Sequence, residues 1–113
     1  MGRIEDYRFG RIVVDGEEHA RDLIILPGRV VPNWWRAEGH SLVLDDLEEV
    51  LDELPPRLVV GTGASGQMRP DPGALEALDR RGIDVTVAPT DEAVRLFAGA
   101  DPATTAAALH LTC

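Results

Sequence analysis

A short apolar run opens into three glycines in the stretch Arg57-Leu58-Val59-Val60-Gly61-Thr62-Gly63-Ala64-Ser65-Gly66. The run Leu58–Val60 is too short and too rich in β-branched residues for a helix. The glycines that follow allow positive φ angles and close approach of other backbone. The stretch therefore predicts a buried strand that ends in a glycine loop.

Helix and strand patterns alternate after this loop. Asp71 can cap a helix with Pro72 at its first position, and Gly82 is placed to end it. The segment 83–88 alternates as a strand, and Thr90 is predicted to cap the next helix. The order strand, helix, strand, helix predicts a βαβα unit with neighbouring parallel strands.

The residues before the first stretch predict antiparallel strands and one more helix. Asp15-Gly16 is a strong hairpin turn within residues 4–26, which we interpret as an antiparallel meander. Residues 27–44 predict a strand and an irregular loop. Asp45 is placed to cap a helix that continues to Leu54.

The last part of the chain, residues 101–109, predicts a short final helix. With the preceding elements, this gives an α/β fold in which an N-terminal antiparallel meander is followed by the βαβα unit. The 113 residues are enough for one hydrophobic core, so we expect a single domain over residues 1–113.

The charge of the chain excludes several classes of partner. Its formal net charge is −9, and a protein that binds nucleic acid or anionic lipid needs a basic face. The only cysteine is Cys113, and no apolar leader or run of membrane-spanning length is present. We therefore expect a cytoplasmic protein with neither nucleic-acid nor membrane partners.

The glycine loop matches the letters of a dinucleotide-binding motif, G-x-G-x-x-G, but not its mechanism. The predicted helix starts only near Pro72, too late for its amides to meet a pyrophosphate. A P-loop is excluded because Gln67 and Met68 replace its Lys and Ser/Thr. Two interpretations stay open: a backbone nest for a small anion or polar ligand, or a simple turn.

A ligand-binding nest would use the ends of two neighbouring parallel strands, where ligands bind in open α/β sheets. Arg36 would then supply a counter-charge. The candidate ligand-binding residues are Gly61, Thr62, Gly63, Ser65, Gly66, Thr90 and Arg36.

Two consecutive tryptophans form the second candidate site. In an extended chain Trp34 and Trp35 point to opposite sides, so one is expected in the core and the other on the surface. Trp and Arg are enriched in binding hot spots, which makes Trp34, Trp35, Arg36 and His40 candidate partner-contact residues. The three histidines lack metal-ligand spacing, so we predict no metal site, and no motif in the sequence identifies a catalytic residue or a cofactor.

A set of short motifs in fixed order resembles one known family, the Mth-type domain family, which includes an adipogenesis-associated human protein and, more distantly, a mitochondrial complex I assembly factor. The motifs are Tyr7-Arg8-Phe9-Gly10, Asp15-Gly16, Trp35-Arg36, Gly39-His40, Asp46-Leu47, Val60-Gly61-Thr62-Gly63, Arg81-Gly82-Ile83, Thr90-x-Glu92-Ala93 and Leu109-His110-Leu111-Thr112-Cys113. The resemblance covers almost the whole chain. It implies a three-layer α/β domain with a mixed sheet, no established catalytic residues or cofactor, and action through partner proteins.

The sequence therefore leaves two candidate functions. The first is a non-enzymatic binding or assembly domain with an unknown protein partner, or a homodimer, that uses Trp35, Arg36 and the glycine loop as its contact surface. The alternative is an enzyme or sensor that holds a small anionic or polar metabolite at the crevice of the Gly61–Gly66 loop.

Overall fold

A five-stranded mixed sheet forms the centre of the molecule. The computed structural model describes residues 2–113. In chain order its strands and helices are β1 Ile4–Arg8, β2 Arg11–Val14, β3 Glu17–His19, β4 Leu23–Ile25, β5 Val30–Val31, β6 Ser41–Leu42, β7 Arg57–Gly61, β8 Arg69–Pro70, α1 Pro72–Arg80, β9 Asp84–Ala88, α2 Thr90–Ala98 and β10 Thr105–Leu109. The central sheet has the order β5-β4-β10-β7-β9.

The topology confirms the predicted fold class. Strands β10, β7 and β9 run parallel, whereas β4 and β5 add antiparallel pairs, so the sheet is mixed. The βαβα unit is β7-α1-β9-α2. Strands β1, β2 and β3 form the separate antiparallel meander. Residues 23–25 do not extend the meander as expected but pair with β10 in the central sheet.

Apolar side chains cover both faces of the central sheet, which makes three layers. On one face Ile24, Leu58 and Val60 pack with Leu78 of α1. On the other face another buried cluster joins the meander, through residues such as Ile12, to α2. No helix within residues 2–113 has the length and apolar character needed to cross a membrane.

The predicted hairpin turn at Asp15-Gly16 and the predicted cap of α1 are confirmed. Asp15 and Gly16 have φ angles of 52° and 82°, the positive values that the hairpin turn requires. Asp71 caps α1 by accepting the Gly73 amide, and Gly82 follows the helix with a φ of 79°.

The predicted helix from Asp45 to Leu54 is wrong. The segment forms two short 3₁₀ turns, Leu44–Leu47 and Leu51–Glu53. In an α-helix the Asp46 carbonyl would accept the Val50 amide. Here the indole Nε1 of Trp34 donates to that carbonyl at 2.9 Å, and Val50 donates to Leu47 instead. A tertiary contact therefore takes the acceptor that the helix needs.

The predicted final helix is also wrong, because residues 105–109 form β10. This strand lies between β4 and β7, and all its side chains are buried. Ala106, Ala107 and Ala108 are 0% exposed, and their small side chains fit beneath elements that cover both faces of the sheet. Alanine favours helices in isolation, but burial on two faces overrides that propensity here.

Candidate functional site

The two tryptophans lie on opposite sides of the chain, as the alternation predicted. Trp34 is 8% exposed and is held by its hydrogen bond to the Asp46 carbonyl, whereas Trp35 is 78% exposed. Trp35 is the most exposed large apolar side chain described, ahead of Phe9 at 64%.

Trp35 lines two open depressions of the surface. One has a volume of about 560 Å³ and is bordered by Arg21, Asp22 and Asn33. The other has a volume of about 780 Å³ and is lined by Trp34, Trp35, Pro32, Ala37, Val31, Asn33, Arg29, Asp45, Asp46, Glu48 and Glu49. We call the part of the second depression formed by Trp35, Pro32, Asp45, Glu48 and Glu49 the Trp35 surface.

Arg36 does not join Trp35 at the surface. Its guanidinium is buried, lies 4.8 Å from the centre of the Trp34 ring and pairs with Asp22 at 2.8 Å. It also approaches Nδ1 of His110 at 3.0 Å and donates to the Gly39 carbonyl at 2.9 Å. The structure therefore gives Arg36 an internal partner, and its charge is not displayed beside Trp35.

Asp22 is the common partner of Arg36 and His110, and the three side chains form a largely buried cluster. Its carboxylate lies 2.8 Å from Nδ1 of His110 and accepts the Leu111 amide at 2.8 Å. Burial would raise the pKa of Asp22, but the hydrogen bonds from the Leu111 amide, His110 and Arg36 outweigh burial and lower it. No sequence signal indicated this cluster, because its members are far apart in the chain and carry no local pattern.

Most backbone amides of the glycine loop donate hydrogen bonds to other groups of the chain. Six of the seven amides from residue 62 to residue 68 donate to internal acceptors. Ala64 and Gln67, for instance, donate to the carbonyls of Thr112 and Cys113 at 2.6 and 3.0 Å. Of the other loop residues, Gly61 and Thr62 are buried, Ser65 is exposed and Gly66 is half-buried with a φ of 65°.

Gly63 is enclosed by the last residues of the chain. Its φ is 102°, and a Cβ there would lie 2.2 Å from the carbonyl carbon of Cys113 and 2.8 Å from Cδ2 of His110. The space beside the loop is therefore filled by the chain itself. Glycine is needed here both for its backbone conformation and for this close approach.

Thr90 lies beside Gly63, as predicted for neighbouring parallel strands, but it is not a helix cap. The N-cap of α2 is Pro89, which has no side-chain cap. The Thr90 hydroxyl accepts the Gly63 amide at 2.8 Å and donates to the His110 carbonyl at 2.6 Å. Its role is to join β7, α2 and the segment after β10.

His40, the remaining candidate residue, is exposed, and its ring lies edge-on to that of His110 with the centroids 6.5 Å apart. Within residues 2–113, no three His, Cys, Asp or Glu side chains come together in a way that could hold a metal ion.

The fold and these sites define a class: a small mixed α/β domain with an internally bonded glycine loop and an exposed tryptophan beside carboxylates. Residues 4–110 match the family described as "Protein of unknown function (DUF498/DUF598)", and the chain belongs to that family. Its structural neighbours include one described as an Mth938-like domain, in agreement with the resemblance to Mth-type domains.

Three solved structures illustrate the likeness. The conserved hypothetical protein PH1505 of Pyrococcus horikoshii OT3 is 31% identical, with a TM-score of 0.79 over 97% of this chain and 98% of that one. A protein of Bartonella henselae described as an outer membrane protein is 23% identical, with a TM-score of 0.83 over 99% and 96%. The Mth938-like domain, a protein of Bordetella pertussis, is 20% identical, with a TM-score of 0.77 over 97% and 85%. At under 25% identity, the last two likenesses concern the fold alone.

Proposed function

We propose that the chain is a non-enzymatic binding domain that contacts a protein partner through the Trp35 surface. The observation that carries this proposal is the 78% exposure of Trp35 beside an open depression. Tryptophan is one of the residue types enriched at interface hot spots. The neighbouring Trp34 is fixed by its hydrogen bond to the Asp46 carbonyl, which anchors this part of the chain.

The alternative, a small anionic or polar metabolite at the Gly61–Gly66 loop, has less support. A nest binds an anion with free backbone amides, but most amides of this loop already donate within the chain. The counter-charge proposed for that ligand, Arg36, is paired with Asp22. Both features favour the interpretation of the loop as a turn that receives the end of the chain.

We place this activity in the cytoplasm. The single cysteine supports that location, because a chain with one cysteine forms no internal disulfide, and such disulfides are typical of oxidising compartments. The partner is either a different protein or a second copy of the chain.

Site-specific photocrosslinking in the cells that express the protein tests the proposal. The crosslinking residue benzoylphenylalanine replaces Trp35 in one variant and Leu96, which is 43% exposed on α2, in a matched control. We expect a discrete crosslinked product from position 35 that the control does not give.

The outcome that contradicts the proposal is the absence of such a product, or the same products from both positions. A product of twice the mass of the chain identifies the partner as a second copy.

A further inference from the structure

We propose that the Trp35 surface recognises a basic peptide segment, with an Arg or Lys side chain of the partner lying on the indole of Trp35 among the carboxylates. This inference rests on the proposed function and adds the chemistry of the partner. The depression of about 780 Å³ has the size of a site for a few side chains. Pro32 and Trp35 provide the apolar part of the Trp35 surface within this depression.

The exposed carboxylates of this surface form no ion pair within residues 2–113. Among residues 2–113, Asp45, Glu48 and Glu49 are exposed and none of them takes part in an ion pair. Asp46 differs from them, because its carboxylate accepts the amides of Ala37 and Val43. Within the described residues these three carboxylates therefore have no ion-pair partner, although Glu49 lies near enough to Arg29 to help raise its pKa.

Arg29, the cation among the described residues that line this depression, interacts mainly with Glu53 and only secondarily with Glu49. Arg29 forms two hydrogen bonds with Glu53, at 3.0 and 2.6 Å, and this pairing lowers the pKa of Glu53. Arg21 lines the other depression. The second depression is thus acidic beside its tryptophan, within a chain whose net charge is already −9.

The indole of Trp35 favours a cation over a neutral group. The face of a tryptophan ring attracts guanidinium and ammonium groups, and tryptophan is the strongest aromatic partner for them. Trp34 already makes this contact inside the chain, with Arg36 at 4.8 Å from its ring centre. Trp35, which is 78% exposed, offers the same chemistry to an outside group.

A peptide segment fits this surface better than a single ion. Asp45 lies in the turn Leu44–Leu47 and Glu48 and Glu49 come directly after it, so the carboxylates that line the depression are spread along one segment of the chain. Within the described residues no such cluster could hold a metal. An Arg or Lys side chain can instead place its alkyl part on Pro32 and Trp35 and its charge near the carboxylates.

Calorimetric titration with defined peptides tests the inference. The probe is an N-acetylated, C-amidated nonapeptide of alternating arginine and serine, and its counterpart has glutamate in place of arginine. We expect the basic peptide to bind and the acidic one not to bind. The basic peptide should also change the fluorescence of Trp35, the exposed tryptophan.

Two variants and one matched control locate the binding. We expect Trp35→Ala to weaken binding of the basic peptide about tenfold, the loss of one desolvated cation–π contact. Glu48→Gln with Glu49→Gln should weaken it to a similar degree. Glu17→Gln with Asp79→Asn removes the same charge on β3 and α1, and should weaken binding by less than about threefold because distant exposed charges are screened.

Equal effects of the two double variants, or full binding by Trp35→Ala, would show general attraction to an acidic protein and overturn the inference. Equal binding of both peptides, or of neither, also overturns it. If position 35 still crosslinks to a partner, the proposed function stands while this inference fails. If native mass spectrometry shows a dimer that Trp35→Ala dissociates, the occupant is a second copy and not a basic peptide of another protein.

Discussion

Replacing Asp22 by Asn should destabilise the protein by about 3 kcal/mol at neutral pH. The change removes a carboxylate that pairs with Arg36 and His110, each at 2.8 Å, and leaves the guanidinium of Arg36 without its counter-charge. The side chain of Arg36 is only 4% exposed, so water cannot replace the lost partner.

The magnitude follows from the burial of the pair. Breaking a buried ion pair from one side costs about 3–5 kcal/mol. Asp22 retains 16% of its side-chain exposure, so we take the lower end of that range. For a chain of this length, about 3 kcal/mol corresponds to a fall in Tm of about 10–15 °C.

Thermal unfolding followed by circular dichroism measures this effect, with Glu53→Gln as the control. That change breaks the Arg29–Glu53 pair, which has a similar contact of 2.6 Å but side chains that are 45% and 46% exposed. Exposed pairs contribute little, so the control should hardly change Tm. A fall in Tm for Asp22→Asn no larger than that of the control would refute the importance of the buried cluster.

The dependence on pH provides a second readout from the same variant. The pKa of Asp22 is lowered from 3.8 by folding, so the unfolded chain binds its proton first as the pH falls. The stability from Asp22 is therefore fully present above about 3.8 and is lost as the pH falls through the folded pKa. The difference in Tm between the wild-type protein and Asp22→Asn should shrink over that acidic range, and a constant difference there would contradict the assignment.

Three further substitutions test the packing around the site by urea denaturation. Gly63→Ala should lower the free energy of unfolding by about 2–4 kcal/mol, because alanine is strained at the positive φ of this position and its Cβ would clash with Cys113. In the control Gly39→Ala, the added Cβ would have no atom within 4 Å, so the stability should hardly change. Thr90→Val should lower the free energy of unfolding by about 1–3 kcal/mol, because it leaves the buried Gly63 amide without an acceptor. Thr86→Val, at an exposed position, is the control, and an equal loss in both variants would argue against the hydrogen-bonding role of Thr90. Ala107→Leu should cost about 1–3 kcal/mol by overpacking the central strand, and the surface change Ala103→Leu should not reproduce that loss.

Trp35 and Arg36 show which features of the candidate site could be predicted from the sequence and which could not. Alternation along an extended chain was enough to predict one buried and one exposed tryptophan. Nothing local indicated that the next residue, Arg36, is buried, because its ion-pair partner Asp22 lies 14 residues earlier. His110, the third member of the cluster, is 88 residues from Asp22.

Elements whose signals are local could be predicted from the sequence alone. The strand before the glycine loop, the Asp15-Gly16 hairpin and the cap of α1 at Asp71 depend on contacts between residues close in the chain, and all three formed as predicted. The helices expected at residues 45–54 and 101–109 had equally good local patterns. Long-range contacts excluded both, because Trp34 takes a carbonyl that the first would need and the central sheet buries the second on both faces. Local propensity amounts to less than about 1 kcal/mol per residue, and burial and long-range hydrogen bonds outweigh it.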